Sequence, residues 1–200
     1  SGAGRPSPSN IELNDALKFG YRASAMLCPK DQSTAYIHLI QKKCAQITAL
    51  AFDIFSSQSG GSFYHVFKLI DHFLKLYPVG VLMGICENDM GYARVKSCLH
   101  CIGFPPVPEL LNALITMSGS PRNSLAFNEI HTMRVSFFDM LNSNGFISDF
   151  IDVMIRPESM CDCTSYVSAD QHSLAACDLI IELIEIFVIE ELGENFLKPF

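Results

Sequence analysis

Two cysteine pairs come closest to a chemical motif. Cys98-Leu-His-Cys101 is a C-x-x-C, and Cys161-Asp-Cys163 is a C-x-C further along the chain. Four thiolates could hold a tetrahedral zinc, and a metal-binding or catalytic helical regulator built on Cys98/Cys101 and Cys161/Cys163 is one reading of the chain. The spacing argues for a plainer one. Cys98 and Cys101 fall on an apolar helical pattern with no Gly or Pro knuckle between them, where free cysteine behaves as a small hydrophobe. Asp162 sits between the other two and disfavours their thiolates, so Cys161 and Cys163 are expected to be oxidisable rather than catalytic. No metal ligand, cofactor or catalytic residue is assigned.

The six histidines, at 38, 65, 72, 100, 131 and 172, share no HExxH or other short metal motif. Nucleophile-elbow, phosphate-loop and dinucleotide signatures do not occur. Asn128-Glu129-Ile130-His131 places His131 on the polar face of a helix, where surface or groove contact is expected before general-base chemistry. Ser7-Pro8 and Ser120-Pro121 could be phosphorylated in flexible loops, and such dipeptides are common by chance. The chain is expected to be no enzyme, with an attached catalytic domain in a longer parent as the exception.

The elements that would position these residues are helical. From Ile11 onward apolar residues recur at three- and four-residue intervals, with no sustained alternation of period two. The pattern predicts helices over 11–27, broken by Pro29, then up to Phe55 after a cap at Asp31 or Ser33, carried by Ile37, Ile40, Cys44, Ile47, Leu50 and Ile54. SSQSGG (56–61) is a turn, and Ser62 is the expected cap of a helix over 63–76. Pro78 opens a short apolar helix to Ile85. Asn88-Asp89 is a turn, 93–102 a helix, and FPPVP (104–108) a corner before a helix over 109–117. SGSPRN (118–123) is a loop. Helices over 125–141, 146–155 and 173–192 follow, the last capped by Asp170 after a long loop at 157–169, with Asn144-Gly145 and Gly193 as stops.

Composition bounds the function classes. The 200 residues are 49% hydrophobic and 18% charged, with mean hydropathy +0.25, which excludes a wholly disordered chain and a nucleic-acid binder relying on a general basic surface. The net charge of -7 is unevenly placed. Residues 1–135 carry 12 bases and 9 acids, whereas residues 136–200 carry 2 bases and 12 acids. No membrane span is expected. YPVGVLMGIC (77–86) is too short for one, and Leu179–Leu192 contains Glu182, Glu185, Glu190 and Glu191. Eight cysteines without a disulfide-scaffold length, no Asn-x-Ser/Thr acceptor and no apolar run in SGAGRPSPSN predict a cytoplasmic or nuclear protein with reduced thiols. The Gly/Pro/Ser opening without Met reads as the start of an excised piece of a longer array, residues 1–10 being a flexible lead-in and 11–200 one helical-repeat domain.

Two stretches resemble the armadillo/HEAT family of helical repeats. In LNSNGFISDFIDVMIRP (141–157), a helix ends at Gly145 and a short helix follows with Phe146, Phe150, Ile151, Val153 and Met154 at the family's apolar positions; SLAACDLIIELIEIF (173–187) supplies the long helix that completes the unit. VGVLMGICENDMGYARVKSCLHCIG (79–103) is similar to a HEAT-like pair, with Cys98 and Cys101 where such repeats need close approach. The FPPVP corner and the 157–169 loop depart from a regular repeat. The resemblance implies an all-α superhelix of about eight or nine stacked helices, each burying its apolar face against its neighbours, and a non-catalytic protein-interaction scaffold or adaptor.

The expected site is a groove between the longer helices. Asn128, His131 and Arg134 would line one wall and Asp178, Glu182 and Glu185, spaced four and three apart, the other. A basic or amphipathic protein segment is the expected partner. A solvated helix face would give the same acidic stripe, and a dimerisation module, or head-to-tail contact with the weakly basic first part of a neighbour, is a further alternative.

Overall fold

The three- and four-residue apolar spacing winds into helices along the whole described chain. The computed structural model describes residues 10–29, 33–56, 62–86, 90–117, 127–156 and 167–190, with backbone only at 10–17, 19, 127 and 186–190. Among them are nine helices and no strand: α1 (Asn10–Leu27), α2 (Thr34–Ser56), α3 (Phe63–Leu76), α4 (Pro78–Cys86), α5 (Gly91–Leu99), α6 (Pro106–Thr116), α7 (Phe127–Ser143), α8 (Phe146–Ile155) and α9 (Ala169–Glu190). The chain is all-α. The expected lead-in at 1–9, the turns at 57–61 and 87–89, the loops at 118–123 and 157–166, the Asp31 cap and the Gly193 stop lie outside the described residues.

Local chemistry explains most helix boundaries and corrects four expectations. At α2 the cap is Ser33, whose Oγ accepts from Tyr36 N at 3.3 Å. Ser62 precedes α3, but its side chain makes no cap bond; its carbonyl instead accepts from His65 and Val66. α6 begins at Pro106 rather than Glu109, because prolines lack an N–H that the first turn does not use and their φ is already helical. α5 begins at Gly91 and ends at Leu99, after which Cys101, Ile102 and Phe104 donate to carbonyls three residues back and tighten the chain into the α6 corner. α9 begins at Ala169, and its cap is Ser168 rather than Asp170. Gln171 N donates to Ser168 Oγ at 3.2 Å and Ser168 N to Gln171 Oε1 at 3.0 Å, a reciprocal capping box. Between α7 and α8 the chain reverses at Gly145, whose φ of +74° is a conformation that glycine adopts without strain.

Helices three apart in chain order pack together. The contacts run α2 to α5 to α8, α3 to α6 to α9, and α4 to α7. The core is continuous, with Phe52, Phe73, Phe137, Phe146 and Phe150 among its largest fully buried side chains. Stacked Phe55 and Phe63 (5.1 Å) and edge-on Phe63 and Phe104 (4.9 Å) join α2, α3 and the α5–α6 corner. On α2 the buried residues are Ile40, Cys44, Thr48, Phe52 and Phe55, whereas Leu50, expected among the carrying residues, is 68% exposed. Leu50 stands six residues before the C-terminal end of α2, ahead of its last turn, so its exposure reflects an uncovered face and not fraying.

Short α4 occupies the middle and packs on α2, α3, α5 and α7. It passes so close to α2 that a Cβ at Gly84 would stand 2.3 Å from the Ala45 carbonyl oxygen, and one at Gly80 would stand 2.8 Å from Cys44 Cβ. Two glycines one turn apart, facing Cys44, Ala45 and Thr48, are what allow this crossing.

Candidate interaction surface

α9 is held in place from its first turn. Beyond the capping box, Ser173 Oγ donates to the Met154 carbonyl at 2.7 Å and ties α9 to the end of α8. His172 is buried, with Nδ1 3.1 Å from the Ser168 carbonyl and its ring edge-on to Phe104. Gly103 leaves the space for that ring, since a Cβ there would come within 2.7 Å of His172 Nδ1. Ala176, Leu179 and Leu183 then bury the inner face of α9 against α6 and α8.

The outer face divides into two flanks. Leu174, Ile181 and Ile184 are exposed, with Cys177 half-buried between them. At 100° per residue these four lie on one side of the exposed arc, and Asp178, Glu182 and Glu185 lie on the other. The three acids are exposed. Glu182 is also oriented: its Oε1 accepts from Asn112 Nδ2 on α6 at 2.6 Å. On α8, Ile151 and Ile155 are exposed as well. Spacing shows the acids as a stripe but does not separate the exposed apolar flank from the buried face.

The α7 residues are placed differently. Asn128 and His131 are exposed, and the Asn128 carbonyl accepts from Thr132 Oγ1. Arg134 turns inward: its Nη2 donates to the Ile115 carbonyl at 3.2 Å and its guanidinium lies 5.5 Å above the Phe138 ring. A cation on the last carbonyls of α6 is the favourable sign for that end of a helix. α9 packs on α6 and α8, and α7 on α4, α5 and α8. The expected trios stand on two helices that both meet α8, and one residue of each trio bonds to α6 one turn apart: Arg134 to the Ile115 carbonyl and Glu182 to Asn112.

The cysteine chemistry divides the same way. Cys98 and Cys101 are buried among apolar side chains, and burial, with Cys101 beside it, pushes the Cys98 thiol well above its ordinary value. Burial raises Cys44 and Cys86 to about 11. Such thiols are poor metal ligands and nucleophiles. Cys161 and Cys163 lie outside the described residues; among those described, no three His, Cys, Asp or Glu side chains gather as a metal site.

A polar cluster that the sequence did not reveal joins α5 to α8. Tyr92, Lys96 and His100 stand four apart along α5 and its end, facing Asp149. The Tyr92 hydroxyl donates to Asp149, and Lys96 Nζ lies 2.9 Å from Asp149 Oδ2 and 3.0 Å from Oδ1. Burial raises the Asp149 carboxyl, but the hydrogen bonds from Tyr92 and Lys96 and the Lys96 charge outweigh it and hold it below its ordinary value. Burial and then the Asp149 bond push Tyr92 far up. Burial, then Lys96, holds His100 down against the opposing pull of Asp149. Tyr92, Lys96 and Asp149 form a clamp between the two helices, and His100 lies beside it with its buried Nε2 making no hydrogen bond.

Comparison with protein-family models, curated proteins and solved structures finds no match to this chain. No described helix is long and apolar enough to cross a membrane.

Proposed function

We propose that this chain is a non-catalytic protein-interaction scaffold of the armadillo/HEAT type, and that the outer face of α9 is its docking surface for a basic, amphipathic segment. The observation that carries the reading is the divided face of α9: an exposed apolar flank of Leu174, Ile181 and Ile184 beside an acidic flank of Asp178, Glu182 and Glu185. An apolar strip gives a partner area to bury, and the row of like charges beside it selects a partner bearing bases. The three-helix interval of the packing supports the repeat reading, because stacked three-helix units bring equivalent helices into contact. The described cysteines 28, 44, 86, 98, 101 and 177 are all free thiols, which supports a reducing compartment, cytoplasm or nucleus.

A synthetic helical peptide of leucine and lysine, labelled for fluorescence anisotropy, tests the reading against an acidic peptide of the same apolar pattern. The basic peptide is expected to bind and to be released by salt. Glu182→Lys with Glu185→Lys should weaken it by about tenfold or more with helicity unchanged. Equal binding of both peptides, or unchanged affinity in the double variant, overturns it.

A further inference from the structure

The helix stack has two ends, and they carry opposite charge. The rows of contacts begin at α2 and α3 and finish at α8 and α9. At the first end, the outer face of α2 exposes Leu39, Lys42, Lys43, Gln46 and Leu50, which fall within one arc of the helix. The only acid on α2 is Asp53, and Arg94 lies 3.5 Å from it. Beside this face α1, α2 and α3 enclose a groove of about 250 Å³, with apolar walls that include Leu27, Leu50, Ile54, Val66 and Leu69. At the last end, α9 presents leucine and isoleucine beside three carboxylates.

Resting on the docking reading of α9 above, we infer that the basic amphipathic partner is a second copy of this chain, whose α2 face receives α9 head to tail. Each surface has what the other needs. Leu174, Ile181 and Ile184 meet Leu39, Leu50 and the adjoining groove, and Asp178, Glu182 and Glu185 face Lys42 and Lys43. The two surfaces are different patches of the same molecule, so the contact is heterologous and leaves one free end of each kind on every dimer. Association therefore continues beyond two copies instead of stopping at a closed pair.

Mass measurement by sedimentation across a concentration series tests this. At about 50 mM salt the wild-type chain is expected to pass from monomer to dimer and longer species, and at about 500 mM salt to return to monomer. Glu182→Lys/Glu185→Lys and Lys42→Glu/Lys43→Glu should each weaken association at least about tenfold. An equimolar mixture should recover it, since the acidic α9 of the second variant meets the unaltered lysines of the first. Leu174→Ser with Ile181→Ser, which leaves charge untouched, should weaken it also. A wild-type chain that stays monomeric at low salt overturns the inference, as does association that survives Lys42→Glu/Lys43→Glu or a mixture that stays monomeric. If the chain is monomeric but the basic peptide still binds through α9, this inference falls and the scaffold reading stands. If both fail, both fall.

Discussion

α4 and α9 are both rich in aliphatic residues, and the protein uses them in opposite ways. PVGVLMGIC of α4 meets four other helices and buries Pro78, Val81, Leu82, Gly84 and Ile85. LIIELIE (179–185) of α9 buries Leu179 and Leu183, half-buries Ile180 and leaves Ile181 and Ile184 outside, with Glu182 and Glu185 beside them. Hydrophobicity alone does not separate the two. What separates them is the residue interleaved with the aliphatics: glycine, which lets a backbone come close, or glutamate, which must stay wet.

Disturbing the buried helix should have the largest effect. Gly84→Ala adds a methyl that collides with the Ala45 backbone oxygen, which no side-chain rotation relieves. About 3 kcal/mol of stability is expected to be lost in denaturant unfolding; a neutral result would mean that α2 and α4 can slide apart freely. Acid should act next, through the α5–α8 clamp. His100 and Asp149 are both held below their ordinary values, so the unfolded chain takes up each proton at a higher pH than the folded one does. Stability is complete above about pH 6.5, falls as His100 protonates, and falls again below about pH 4 as Asp149 does. Thermal midpoints measured against pH should show the lower step diminished in Asp149→Asn. Smallest are the changes on α9. Ser168→Ala removes half of the capping box and should cost about 1 kcal/mol, whereas Ile181→Ser should change stability by less than about 0.5 kcal/mol. A large loss at Ile181 would show that the outer face is covered, and the contrast with α4 would disappear.

Much of the fold was legible because its punctuation is local. Pro78 and Gly145 act through the backbone of one or two residues, so a stop or start could be read without knowing what lies nearby. The Ser168–Gln171 box was missed in favour of Asp170 although it too is local, because serine, aspartate and glutamine all stand within four residues and only one pairing closes both bonds. Leu50 and Ile37 were read as core because helical spacing records which residues share a face, not whether another helix covers it. Of the candidate surface, Asp178, Glu182 and Glu185 form a stripe on one helix that spacing makes visible; the bond from Arg134 to a carbonyl on α6 joins two helices, which spacing does not show. The Tyr92–Lys96–Asp149 clamp and the fit of Gly84 to Ala45 join residues far apart in the chain, and no pattern within a helix carries that information.

The three-helix interval of the packing bears on how the chain reaches this state. α2 finds its main partners in α4 and α5, α3 in α6, and α4 in α7, so few helices rest chiefly on the one that follows them in sequence. Each such meeting closes a loop that spans at least one whole helix before any burial rewards it. The contact order is accordingly above that of an up-and-down bundle, where hairpins form first, and folding is expected to be slower than in a helical protein of equal length joined by neighbours alone. α2 emerges long before the α4 glycines that cover Cys44 and Thr48, which gives chain growth a stage at which its apolar face stands open.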